Sequence, residues 1–419
     1  MIEIHNKSLR FSFPAIAAEI EALLEDYVAE MLPSFISEYP EMVIREIFEE
    51  RPFYSRWADM EEKIRTTVLA LSPADIERLL RKHVQEVAGF HDGQQPGCVE
   101  IEFQRTLRIP DDGRTYPLPP SLGRFPLRHV DDFADRVPQE WLQRGGVLMP
   151  MYQAEALWMN FEGQYPFALK IAAGKVNAVS GGSWQDGLQR RPQDYVVIPG
   201  QPWLDGFAVA KGVIRQFVAM PLGAGYTVEE QLSGKAEFGG MQFQAIPMKA
   251  RKYYESEVLP ELPTRLAQVV QRVTFKDLMS DAVMAGCASA SLGLGAGGKM
   301  RQEIYKDPHA AEDWDLEHSS RCFLHLCDAL LWREITGENP PQTPLTAMEY
   351  QRAGMPWFDF YRDDLAVLEG SKTLASIKSV NTLSQEKNGR ALPGNTSVKV
   401  PSVIDYVAGK KTVKEWGGK

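Results

Sequence analysis

Two Trp-x-Asp-Gly phrases, Trp184-Gln-Asp186-Gly187 and Trp203-Leu-Asp205-Gly206, stand nineteen positions apart in the 419-residue chain. An indole gives a flat apolar face and a nearby carboxylate accepts hydrogen bonds, a pairing that suits sugar rings or cations. On that reading Trp184 and Trp203 are ligand-binding residues, and Asp186 and Asp205 are the acid and base of a carbohydrate hydrolase, with carboxyl groups roughly 5–10 Å apart. Asp-Gly is also a hairpin signal, and the tryptophan then covers the end of a sheet. Two copies do not make a repeat architecture.

His318, Cys322 and His325 fall at i, i+4 and i+7, which on a helix places all three on one face. Imidazole and thiolate suit zinc, and no other cofactor is indicated. The surrounding Phe323, Leu324, Leu326 and Leu330–Trp332 make the expected helix apolar nearly all round, where buried Cys and His need no metal. Asp313-Trp-Asp315-Leu-Glu317 begins like a calcium loop, but His318 stands where glycine is required and Leu324 where glutamate is required.

The run from Gly293 to Lys299 has the spacing of a phosphate loop, yet Met300 replaces the hydroxyl residue that holds magnesium. A tightly packed glycine turn explains it better, with Lys299 and Arg301 left as candidate anion ligands. No Gly-x-Ser-x-Gly, His-Glu-x-x-His or paired Cys-x-x-Cys occurs. The segment Gly225 to Gln231 ends in Glu229 and Glu230, either as a pocket wall or as a solvated face.

These residues need elements to position them, and the period of the apolar residues supplies the outline. Region 1–97 reads as mainly helical after a short strand-like start. One helix carries Ile16, Ile20, Leu24 and Tyr27 and ends at Pro33, and another is capped by Ser72 and begins at Pro73. At Cys98 the period changes to two, and from there to residue 250 short apolar runs alternate with glycine turns. Region 251–371 reads as mainly helical around a glycine-rich loop. Region 372–419 reads as a basic, largely extended tail. The fold class is therefore α+β, a β-rich centre of sandwich or barrel type flanked by helical layers.

Composition narrows the function further. Residues Lys372 to Lys419 hold nine Lys/Arg against three Asp/Glu, a charge of +6 that leaves −16 on the rest of a chain whose total is −10. The total argues against nucleic acid, whose binding draws on clustered cations. The split suggests a homo-oligomer in which the tail docks on an acidic neighbour. Four sparse cysteines fit a reducing, cytoplasmic setting. The start of the chain lacks the pattern of a secretory signal, and the most apolar stretch, Leu278 to Leu294, is too interrupted to span a membrane. Three readings stand: a non-enzymatic binding or assembly protein first, a hydrolase acting on a polar substrate such as a carbohydrate second, and a zinc protein third.

Overall fold

The computed structural model describes residues 1–48, 70–90, 95–262, 291–362, 364–400 and 403–407. The chain opens on a hairpin, β1 (Ile2–His5) and β2 (Ser8–Ser12), and enters a long helix, Pro14–Phe48. That helix continues through Pro33, which was expected to end it. A proline removes one helical hydrogen bond, and the apolar contacts of Phe35 and Ile36 beyond it keep the helix against the core. The helix Pro73–Val87 starts as expected, with Ser72 and Asp75 forming a reciprocal capping box.

Strands then dominate. They are β3 (Cys98–Thr106), β4 (Thr115–Tyr116), β5 (Arg128–His129), β6 (Val147–Pro150), β7 (Ala156–Glu162), β8 (Phe167–Ala173) and β9 (Val176–Asn177). Next come β10 (Val196–Ile198), β11 (Trp203–Leu204), β12 (Gly206–Ala210), β13 (Val213–Pro221) and β14 (Met241–Pro247). Three longer-range additions follow, β15 (Ser291–Arg301), β16 (Ser320–Cys327) and β17 (Trp357–Tyr361), and β18 (Val403–Val407) pairs with the last of them.

The first sixteen strands form one sheet whose main path runs β1-β2-β3-β7-β13-β15-β16-β14-β8-β10. Neighbours along this path are antiparallel, and the path does not close into a barrel. The α+β class with a β-rich centre and flanking helices is thus observed. Two strands arise where helix or loop was expected. The stretch holding Cys322 and His325 is β16, and the glycine run is β15. The helical pattern expected from residue 263 to 290, and most of the Leu278–Leu294 stretch, lie outside the described residues.

The glycines of β15 are explained by what presses on them. A Cβ at Gly295 would lie 2.4 Å from Val380 Cγ1 and 2.9 Å from the Tyr226 carbonyl, so only glycine lets those groups approach. Val380 opens the helix Val380–Asn388, one of two helices in a segment expected to be extended. Leu374, Ile377, Val380 and Val398 are buried, and the Ser379 hydroxyl is bound to the Asp111 carboxylate. Residues 371–400 therefore dock on their own chain. Among the described residues no helix is long and apolar enough to cross a membrane.

Gly295→Ala is expected to lower stability by about 1–3 kcal/mol through overpacking. Limited proteolysis should show cleavage near residues 376–392 before the body unfolds.

Candidate functional site

The first Trp-x-Asp-Gly phrase sits on a loop held by a buried cation. Lys170 on β8 is 1% exposed, and its ammonium pairs with Asp194 at 2.7 Å. Its remaining donors go to the carbonyls of Gln185 and Gly187. Trp184 lies with its ring 5.3 Å from Lys170 Nζ and 4.8 Å from the Arg321 guanidinium. Trp184 Nε1 donates to Asp186 Oδ1 at 3.3 Å, and Arg321 also pairs with this exposed carboxylate. Cations therefore occupy the ring, rather than leaving it as an open stacking platform.

The second phrase has the same local hydrogen bond in a different setting. The Trp203 indole donates to the Asp205 carboxylate, which also accepts from Gln302 Nε2 at 2.9 Å. Burial pushes Asp205 up to about 7, against the opposing pull of those two donors. Trp203 packs against Phe360 at 4.6 Å between ring centres. Asp186 is exposed and Asp205 wholly buried, and no described contact joins them.

The zinc trio separates because it lies on a strand. Side chains alternate along β16, so Cys322 enters the core while His325 points to the opposite face. There its ring stacks on Trp141 at 4.7 Å and its Nε2 donates to the Gly145 carbonyl at 2.9 Å, and burial lowers its pKa to about 4. His318 precedes the strand and bonds Asp315 at 2.7 Å. The helical spacing that would have aligned the three is absent, and among the described residues no group of three or more His, Cys, Asp or Glu is placed to hold a metal.

The other candidates are also accounted for locally. Arg301 makes a two-pronged pair with Asp359, and Lys299 lies on β15 opposite Arg215 rather than on a loop. Glu230 closes a capping box with Thr227, and Glu229 accepts the backbone N–H groups of Phe238 and Gly239.

Among the described residues, two cavities are of a size to take ligands. The larger, about 1270 Å³, lies beside the β1–β2 hairpin, and the cations on its walls are engaged by neighbouring carboxylates. Glu100 accepts from Arg10 at 2.6 Å and His5 at 3.0 Å, and Glu102 is paired with Arg124. The smaller, about 520 Å³, is lined by Arg191, Lys306 and Lys372 over a floor that includes Val179, Ala208 and Ile304. Among the described residues, none of these three cationic side chains has a carboxylate or hydrogen-bond partner. The one acid of the lining, Glu369, is on Lys211 at 3.2 Å.

Hydrogen bonds fix this second pocket from four directions. Asn177 Oδ1 accepts from the N–H groups of Val179 and Ser180, shaping the first wall. Buried Gln193 donates to the Tyr305 carbonyl at 3.1 Å and accepts the Asp307 N–H at 2.9 Å, bracketing Lys306. The next wall runs beside it, with Lys306 N–H on Ala366 O and Leu368 N–H on Ile304 O, both at 2.7 Å. Ser371 then closes the rim through its N–H to Ala208 O and its hydroxyl to Ser180 O. Asp307, next to Lys306 in the chain, is engaged by Tyr195 at 2.6 Å and Trp314 at 3.0 Å. Sequence reading missed these cations because they come from three remote segments; only the Arg190-Arg191 doublet gave any local sign.

Lys170→Met should cost about 3–5 kcal/mol in chemical denaturation, since it leaves the Asp194 carboxylate buried without its cation. Asp205 gives a pH test. Its folded pKa lies above the ordinary carboxylate value, so the folded state holds more protons and stability falls as pH rises from about 4 to 7. Asp205→Asn keeps an acceptor for Trp203 and Gln302, and should match the parent at pH 4 yet exceed it in thermal stability at pH 8. Compared with known proteins, the chain matches no family model, no curated protein and no solved structure.

Proposed function

We propose that this protein binds a small, multiply charged anion, best a phosphate-bearing one, in the pocket lined by Arg191, Lys306 and Lys372. The observation that carries the reading is that three cations without partners among the described residues line one concavity of about 520 Å³. Guanidinium and ammonium groups are the side chains that hold phosphate, Arg through its planar fork and Lys as a mobile point charge. Thr373 adds a hydroxyl at the same rim.

The lining favours binding over chemistry. It contains no His, Cys or Tyr, and its single carboxylate, Glu369, is paired with Lys211, so the hydroxyls of Ser180, Ser371 and Thr373 have no general base among the lining residues to activate them. The pocket's size, with a chain total of −10, favours a small anion over nucleic acid. The free thiols Cys98, Cys322 and Cys327 support a reducing, cytoplasmic setting for it.

Titration calorimetry with pyrophosphate tests the proposal. The parent should bind with an affinity that falls as salt rises. Lys372→Ala and Arg191→Ala should each weaken binding about tenfold or more, the loss of one hydrogen bond to a charged group. Lys235→Ala, far along the chain and paired with Glu237, should change nothing. Equal affinity in all four proteins, or no binding by the parent, would refute the assignment.

A further inference from the structure

Resting on that reading, we infer that the natural ligand is a phosphate or diphosphate ester with an aliphatic body, held by its charged end at the rim and by its carbon chain at the floor. The pocket is divided by chemistry. Its cations Arg191, Lys306 and Lys372 are exposed, whereas Val179, Ala208 and Ile304 are at most 4% exposed and form the base. Leu368 stands half-buried between the two levels, and Ala210 extends the apolar surface to the lip.

Each level excludes a class of ligand. An inorganic anion would use the rim and leave the apolar floor in contact with water, which gains nothing from burial. A nucleotide would seek a ring to stack on, and no aromatic side chain lines the pocket among the described residues. A sugar phosphate would need polar partners at depth. The polar groups there are already committed, Gln193 to the Tyr195 and Tyr305 carbonyls and the Ser180 carbonyl to the Ser371 hydroxyl. An aliphatic chain asks for no hydrogen bonds and matches the surface that remains.

The test compares inorganic phosphate, methyl phosphate, hexyl phosphate and adenosine monophosphate by calorimetry on the full chain. Affinity should climb with chain length, hexyl phosphate binding about tenfold or more tighter than inorganic phosphate, since each buried methylene contributes. Leu368→Ser should remove most of that gain while inorganic phosphate binds as before, and Leu368→Met should retain it. If Leu368→Ser fails to fold, the chain-length series decides alone. Equal affinity for inorganic and hexyl phosphate overturns the aliphatic class and leaves the anion site standing; adenosine monophosphate binding tighter than hexyl phosphate overturns it as well. Loss of inorganic phosphate and pyrophosphate binding in the parent overturns both. Co-sedimentation with phosphatidic acid vesicles separates the sources of such an ester. Binding to soluble hexyl phosphate is expected, and binding confined to vesicles overturns the pocket assignment.

Discussion

The pocket side of this molecule is organised by one buried ammonium. An unpartnered lysine inside a protein carries a desolvation penalty of several kcal/mol, so its surroundings must answer all three of its donors. Lys170 has two loop carbonyls and the Asp194 carboxylate for this purpose. Those acceptors lie at positions 185, 187 and 194, so meeting the ammonium's needs pins both ends of the segment between them. Arg190 and Arg191 occupy the middle of that pinned segment. The sheet thus dictates where the doublet stands without touching it.

The same logic continues through amides. Gln193 follows the doublet and uses its carboxamide on the backbone either side of Lys306, a neutral clamp whose loss would strand buried groups. Asn177 bends the opposite wall, and its own amide reaches the Asp194 carbonyl at 2.6 Å. Lys170, Asp194 and Asn177 therefore belong to one continuous polar network behind the pocket, and Gln193, next to Asp194 in sequence, carries a second one to the Lys306 backbone. A network with its members satisfied is rigid, and it fixes the wall that carries Arg191.

Much of the centre is legible in the sequence because each strand there shows its own boundaries. Between Cys98 and residue 250, where short apolar runs between glycine turns were expected as strands, β6, β7, β8, β13 and β14 are strands. Legibility fails where a strand is covered on both faces. The residues of β16 are apolar in both directions because Cys322 and Leu324 meet the core while His325 lies under Trp141, so alternation disappears and a helix is the natural reading. It fails again at β15, whose glycines have poor strand preference but are required by close neighbours, Val380 and Tyr226 at Gly295 and the Ile109 and Pro110 carbonyls at Gly298. The paired Trp-x-Asp-Gly phrases were visible, and their shared indole-to-carboxylate bond is real, yet burial differs so much that it makes one a surface turn and the other a core hydrogen bond. The cations at 191, 306 and 372 carry no local signal beyond the Arg190-Arg191 doublet, since only the assembled fold brings them to one concavity.

Missing partners are not by themselves a mark of function. An exposed ion pair contributes about 0–1 kcal/mol, so a surface lysine without one forfeits little. What sets this trio apart is that the carboxylate of the lining, Glu369, and that of Asp307, next to Lys306 in the chain, are committed elsewhere. Asp307 is buried under Tyr195 and Trp314, with Arg190 at 3.6 Å as its cation, and Glu369 is turned to Lys211. A chain of net charge −10 has acids to spare, and placing them on these cations would relieve the repulsion among them. The structure instead ties the available acids to other donors and leaves the positive rim above an apolar floor. On the proposed reading, an anion pairs with these cations at the rim while the apolar floor takes the part of the ligand that water does not favour.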